Sequence, residues 1–67
     1  MNKFAKTLTE LMKEKNISQS QLAQHLDVGQ QTVSKYMNGK IEPGLDTVIK
    51  IAKHFEVTVG YLLGTED

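Results

Sequence analysis

A chain of 67 residues without cysteine and with a formal net charge of zero has room for one small domain, and it excludes a disulfide framework or a thiolate metal site. A core of this size supplies only about 3–5 kcal/mol, so the elements must pack tightly or find a partner. The opening Met1-Asn2-Lys3-Phe4-Ala5-Lys6 lacks the apolar run of a signal peptide. No stretch approaches the ~20 apolar residues of a membrane span, and the expectation is a soluble, cytoplasmic protein.

The zero sum hides a segregated charge. Residues 1–9 carry Lys3 and Lys6 alone, and residues 29–41 carry Lys35 and Lys40 with no acid. Residues 42–67 set Lys50 and Lys53 against Glu42, Asp46, Glu56, Glu66 and Asp67. One part of the surface is therefore suited to phosphate while the C-terminal part faces away. Every basic residue is lysine, so no arginine fork is available for guanine.

Apolar residues recur at helical spacing and strand-like alternation does not persist. Phe4, Leu8, Leu11 and Met12 predict a first helix over about 3–15, ended by Asn16, a residue that tolerates helix-terminal geometry. Ser18 with Gln21 three residues on is a capping-box pattern that opens a second helix. Its buried face is Leu22, Ala23 and Leu26, and Asp27-Val28-Gly29 interrupts it. A third helix is predicted from Gln30 to about Asn38, with Val33 and Tyr36 or Met37 inward and Asn38-Gly39 as the stop. The loop 40–44 contains the only proline, Pro43. A fourth helix over about 45–55 has the stripe Leu45, Val48, Ala52 and Phe55, widened by Ile49 and Ile51. Thr58 is a suitable N-cap for a last short helix holding Val59, Tyr61, Leu62 and Leu63, with Gly64 ending it. The expected architecture is all-α, a compact five-helix bundle forming a single domain over 1–67.

The informative stretch runs from Gln19 to Gly39 and reads QSQLAQHLDVGQQTVSKYMNG. It places two short helices on either side of a tight turn, with the small Ala23 allowing a steep approach. Leu22, Leu26, Val28 and Val33 fill the space beneath the turn. The outer face of the later helix is left with Gln30, Gln31, Ser34 and Lys35. A helix used only for packing more often shows Glu/Lys pairs outside. Amides, hydroxyls and a cation near a helix N-terminus are what reading base edges requires.

The pattern Gln-x-x-Leu-Ala-x-x-Leu-x-Val-x-x-x-x-Val-Ser-x-Tyr-x-x-Gly resembles the Cro/CI-type (XRE) helix-turn-helix family of phage repressors and related bacterial regulators. The resemblance continues through Pro43, through residues 45–52 and to residues 57–64. It implies a lambda repressor-like fold with the helix-turn-helix at about 19–38, in the second and third helices. It implies a sequence-specific DNA-binding regulator, most simply a repressor acting as a homodimer on a palindromic operator. By the same resemblance Gln30, Gln31, Thr32 and Lys35 would read bases, with Thr32 and Lys35 also within reach of phosphate. Gln19 would bond a phosphate and brace Gln30, and Asn38 and Lys40 would hold phosphates. Backbone N–H groups at the second helix's N-terminus would add to this. Val59, Tyr61 and Leu62 would form a dimer contact.

Three positions depart from the family pattern. Asp27 stands in the turn where glycine is usual, Gly29 replaces the common Ser or Thr cap, and Gly60 stands where an acid is frequent. Together they imply modest stability rather than loss of the motif.

Other chemistries find little footing. His25 and His54 lie on different helices without a carboxylate or cysteine to complete a ligand set, and are read as surface or boundary residues; no metal or cofactor is expected. Thr32 and Ser34 lack a nucleophile-base arrangement, and the chain is not expected to be an enzyme. Glu10 and Glu14 form a solvated face, and Met12 and Met37 are packing residues. A competing reading is a protein-interaction module, an antitoxin or adaptor whose exposed Val59, Tyr61 and Leu62 bind a partner such as a toxin or an anti-repressor. The sequence is equally compatible with a complete small regulator and with the DNA-binding part of a longer repressor.

Overall fold

The computed structural model describes residues 3–65. Five helices follow in order: α1 (Lys3–Lys15), α2 (Gln19–Leu26), α3 (Gln30–Met37), α4 (Leu45–Phe55) and α5 (Val59–Leu63). No strand occurs among the described residues. The helix limits agree with the sequence expectations to within a residue.

Each helix contributes one stripe to a common core. Leu8, Leu22, Val33, Ile51 and Leu62, one from each helix, are fully buried at its centre. Burying an aliphatic side chain of this kind stabilises a fold by about 1.5–3 kcal/mol, so these five positions matter disproportionately in so small a protein. α1 lies against α3 and α5, α2 against α3 and α4, and α4 against α5. Phe4 meets Tyr36 edge to face, with ring centroids 6.3 Å apart, which ties α1 to the interior side of α3.

Leu45 differs from expectation. It belongs by period to the stripe of Val48, Ala52 and Phe55, yet it is 66% exposed. It is the first residue of α4, just after the N-cap Gly44, and projects beyond the end of the core, which begins one turn later at Val48. On α3, Tyr36 is the inward residue, and Met37 is half-buried at its edge.

The helix ends are alike. Asn16, Asp27, Gly39, Glu56 and Gly64 all have positive φ. In each case the N–H of the following residue reaches five positions back: Ile17 to Met12 at 2.9 Å, Val28 to Ala23 at 3.0 Å, Lys40 to Lys35 at 2.9 Å, Val57 to Ala52 at 2.9 Å and Thr65 to Gly60 at 2.8 Å. This left-handed closure satisfies carbonyls that a helix end otherwise leaves unpaired. Ile17, Val28 and Val57 then fold back onto the core, the apolar contact that usually accompanies the motif. Asp27 is left-handed, as its place in the turn predicts, with φ 59° and ψ 45°.

α2 and α4 meet at their solvent edge through two histidines. The rings of His25 and His54 lie 4.1 Å apart between centroids, tilted by 37°. His54 is held below its ordinary pKa, first by partial burial of the ring and second by the neighbouring His25.

Candidate nucleic-acid interface

The two helices of the motif are positioned by local chemistry. α2 starts at Ser18, whose Oγ accepts from the Gln21 N–H at 3.1 Å while Gln21 Oε1 accepts from the Ser18 N–H at 2.8 Å. This is the reciprocal capping box expected from the sequence. It occupies the N–H groups of Ser18 and Gln21 at this terminus and leaves those of Gln19 and Ser20 without a partner among the described residues. At the other end Asp27 and Val28 close the helix, and Ala23, 4% exposed, sits within the core where α2 packs on α3.

α3 begins without a side-chain cap. Gly29 is its N-cap in extended conformation, and it makes no side-chain hydrogen bond. Its carbonyl accepts from Thr32 at 3.0 Å and from Val33 at 3.4 Å. The N–H groups of Gln30 and Gln31 have no partner among the described residues, and a Cβ at position 29 would meet nothing within 4 Å. The start of α3 is thus an open terminus with two free donors and the positive end of the helix dipole.

Folding gathers most of the residues singled out from the sequence at this terminus. Gln19, Gly29, Gln30, Gln31, Thr32 and Ser34 line one open cleft of about 580 Å³. Gln30 and Gln31 are exposed, whereas Gln19, Thr32 and Ser34 are half-buried along its floor and walls. Gln19 therefore stands beside the first turn of α3 although eleven positions separate it from Gln30, and no hydrogen bond joins the two side chains. Ser34, which the sequence places on the outer face without a role, also lines the cleft; its spacing of four from Gln30 is the signal for it.

Lys35, Asn38 and Lys40 are exposed and lie outside the cleft lining. Asn38 and Lys40 follow α3 in the turn around Gly39, where the Lys40 backbone is fixed by its bond to Lys35. No side-chain hydrogen bond occupies Gln30, Gln31, Lys35, Asn38 or Lys40. The result is a polar, unpaired surface on a rigid two-helix frame, free to bond an external ligand without first breaking internal contacts.

The apolar trio of α5 divides. Leu62 is fully buried and Val59 is packed against the core, while Tyr61 is 45% exposed. Leu62 thus belongs to the core and offers no surface to a second molecule: on a five-residue helix one side chain must face inward, and Leu62 is that one. Leu63 is 39% exposed, and no pattern in the sequence marks it as a surface residue.

A family model described as helix-turn-helix matches residues 8–62. The chain belongs to the helix-turn-helix family. Among curated proteins, this helix-turn-helix chain is 38% identical over 64 residues to the HTH-type transcriptional activator BcrR of Enterococcus faecalis, covering 96% of this chain and 31% of that protein. It is 29% identical to the HTH-type transcriptional regulator ImmR of Bacillus subtilis, covering 50% of it. It is 30% identical to the transcriptional repressor RstR of the cryptic phage CTXphi of Vibrio cholerae, covering 58% of it. Among solved structures, a transcriptional regulator from Listeria innocua superposes with a TM-score of 0.93 at 31% identity, covering all of this chain and 63% of that one. The chain thus spans from about a third to somewhat under two thirds of the length of these relatives. It is a helix-turn-helix DNA-binding domain of the kind carried by transcriptional regulators. Among the described residues no helix is long and apolar enough to cross a membrane.

Proposed function

We propose that this domain binds double-stranded DNA in a sequence-specific manner, with α3 in the major groove, and that it represses transcription as a symmetric dimer on a palindromic operator. The observation that carries the reading is the unpaired first turn of α3, where Gln30 and Gln31 stand exposed on two free N–H groups with Gln19 beside them. Gln30 and Gln31 would read base edges, a glutamine amide pairing bidentately with adenine. Thr32 would touch a thymine methyl or a phosphate, and Lys35 a guanine edge or a phosphate. Gln19, Asn38 and Lys40 would hold the backbone.

Dimerisation would run through α5, with Tyr61 as its exposed anchor. Two such domains would meet half-sites about one helical turn, ~34 Å, apart. The names of the relatives include both a repressor and an activator. Repression is preferred because occupying an operator requires only the surface described above, whereas activation needs a further polymerase contact.

Selection of bound sequences from a random duplex pool tests the reading. The expected result is a palindromic motif with half-sites spaced by one helical turn. Recovery of no enriched motif at low salt would overturn specific binding, and a single, non-repeated half-site would overturn the dimer. Enrichment of no DNA combined with tight capture of a partner through Tyr61 would favour the protein-interaction module instead.

A further inference from the structure

The sequence presents His25 and His54 as two isolated histidines on two helices, twenty-nine positions apart. Folding stacks them at 4.1 Å at the solvent edge of the α2–α4 contact. Both residues are exposed. Among the described residues neither imidazole makes a hydrogen bond or an ion pair, so the ring nitrogens are open to an external ligand. No group of three or more potential metal ligands forms among the described residues.

We propose that His25 and His54 together hold a divalent transition-metal cation of the zinc, nickel or copper type, with water completing its coordination. The donor set decides the class of ion. Two imidazoles without a carboxylate or carbonyl cluster do not suit magnesium or calcium, which require oxygen ligands. Without a thiolate or thioether they do not favour copper(I). Neutral imidazole is the ordinary ligand of the borderline divalent cations, at about 2.0–2.1 Å from nitrogen to metal. A cation held at that distance by both rings needs their nitrogens turned toward one point. The side-chain torsion that swings an imidazole is broad and soft, and both rings are at the surface, so this adjustment leaves the helices in place.

Such a cation would join the first helix of the helix-turn-helix to α4, the helix behind it. Neither histidine lines the cleft at the start of α3, so the metal would stiffen the frame of the motif without covering its polar face. Because the unfolded chain does not hold the two rings together, binding would raise the stability of the folded state.

The test is a titration of the full chain with zinc chloride, with magnesium chloride as the control. Zinc is expected to raise the thermal midpoint and to bind one ion per chain, and magnesium is expected to do neither. His25→Gln and His54→Gln should each weaken zinc by at least about tenfold, since loss even of a group that only orients a ligand costs 10–100-fold. In the unaltered chain, the ring-proton resonances of both histidines should respond together at one equivalent of zinc, a readout that does not depend on any variant folding. Undiminished zinc affinity in the double variant would overturn the site. So would a response confined to one ring, or zinc binding that occurs only with association of two chains.

Discussion

The amide of Val28 donates to the carbonyl of Ala23 at 3.0 Å across a left-handed Asp27, and this bond ends α2 and aims the chain into α3. The same closure recurs at Glu56, whose neighbour Val57 reaches Ala52. An L-residue costs roughly 1–2 kcal/mol in this region, with Asn and Asp partly relieved by local hydrogen bonding. A Glu side chain has no such relief. Asp27→Gly is therefore expected to change stability by about 0–1 kcal/mol in the favourable direction, and Glu56→Gly by more, about 1 kcal/mol, after the added freedom of the unfolded chain is subtracted. Denaturant titration of both variants checks the order; destabilisation by either would mean that the native carboxylate supplies an offsetting interaction.

Gln31→Ala is expected to weaken binding to the selected operator by about 1–3 kcal/mol and to relax preference at one base pair in each half-site. Fold stability should not change, because Gln31 is exposed and makes no internal side-chain bond. Equal affinity together with an unchanged motif would remove Gln31 from the reading surface.

Lys40→Ala should act on all sequences alike. Specific and non-specific binding are expected to fall to a similar degree, and the slope of log affinity against log salt should become shallower by about 0.9 for one phosphate no longer neutralised. An altered base preference with the slope intact would give Lys40 a different role.

Tyr61→Asp is expected to shift a dimer toward monomer while helical circular dichroism is retained, since the side chain is 45% exposed. Leu62→Asp should behave differently and unfold the domain, because an unpaired charge would enter the centre of the core. Sedimentation of Tyr61→Asp is decisive: a folded and fully dimeric variant would place the interface on another surface.

His54 makes stability depend on pH. Its pKa in the folded chain lies below the ordinary value of 6.5, so below that pH the unfolded chain binds the proton first. Stability is expected to be level in this respect above about pH 6.5 and to decline as pH falls from there, until the folded state also takes up the proton. In buffer containing a chelator, His54→Gln should flatten the change in denaturation midpoint between about pH 7 and pH 5. An unchanged slope in the variant would assign the dependence to other groups.

The fold is largely legible in the sequence because its signals are local. The capping box of Ser18 and Gln21, the Thr58 cap, the stops at Asn16, Gly39 and Gly64, and the apolar stripes each act within a turn or two of helix. Where the outcome depends on distant neighbours, the sequence is a poorer guide. Leu45 has the right period, but the core stops one turn short of it. Leu62 and Tyr61 adjoin on a helix too short for periodicity to choose between them. Glu56 carries no mark of a left-handed residue, since Val57's return to the core imposes that conformation. The encounter of His25 with His54 depends on how α2 crosses α4, which no spacing along the chain encodes. At the proposed DNA-facing surface, residue types and positions point to the cleft at the start of α3, because helix-turn-helix geometry follows from the turn; Gln19 lines that cleft with Gln30 but does not bond to it.

The last residue of the α5 closure bears on how the molecule could be rewired. A Cβ on Gly64 would lie 2.5 Å from Lys3 Cδ and 2.8 Å from Lys3 Cβ, so the first turn of α1 and the end of α5 share one corner. A short peptide joining the first turn of α1 to the end of α5 would cross little space, and the exposed loop at residues 41–42 offers a place to open the chain anew, the kind of site where circular permutation succeeds. Because α1 and α5 would then be covalently consecutive, their pairing would become a local event instead of the most distant one in the chain, with less loop-closure entropy to overcome. The cleft lined by Gln19 and the first turn of α3 shares no residue with that corner, and a permuted domain would keep this cleft, while Lys40 would stand beside a new chain end.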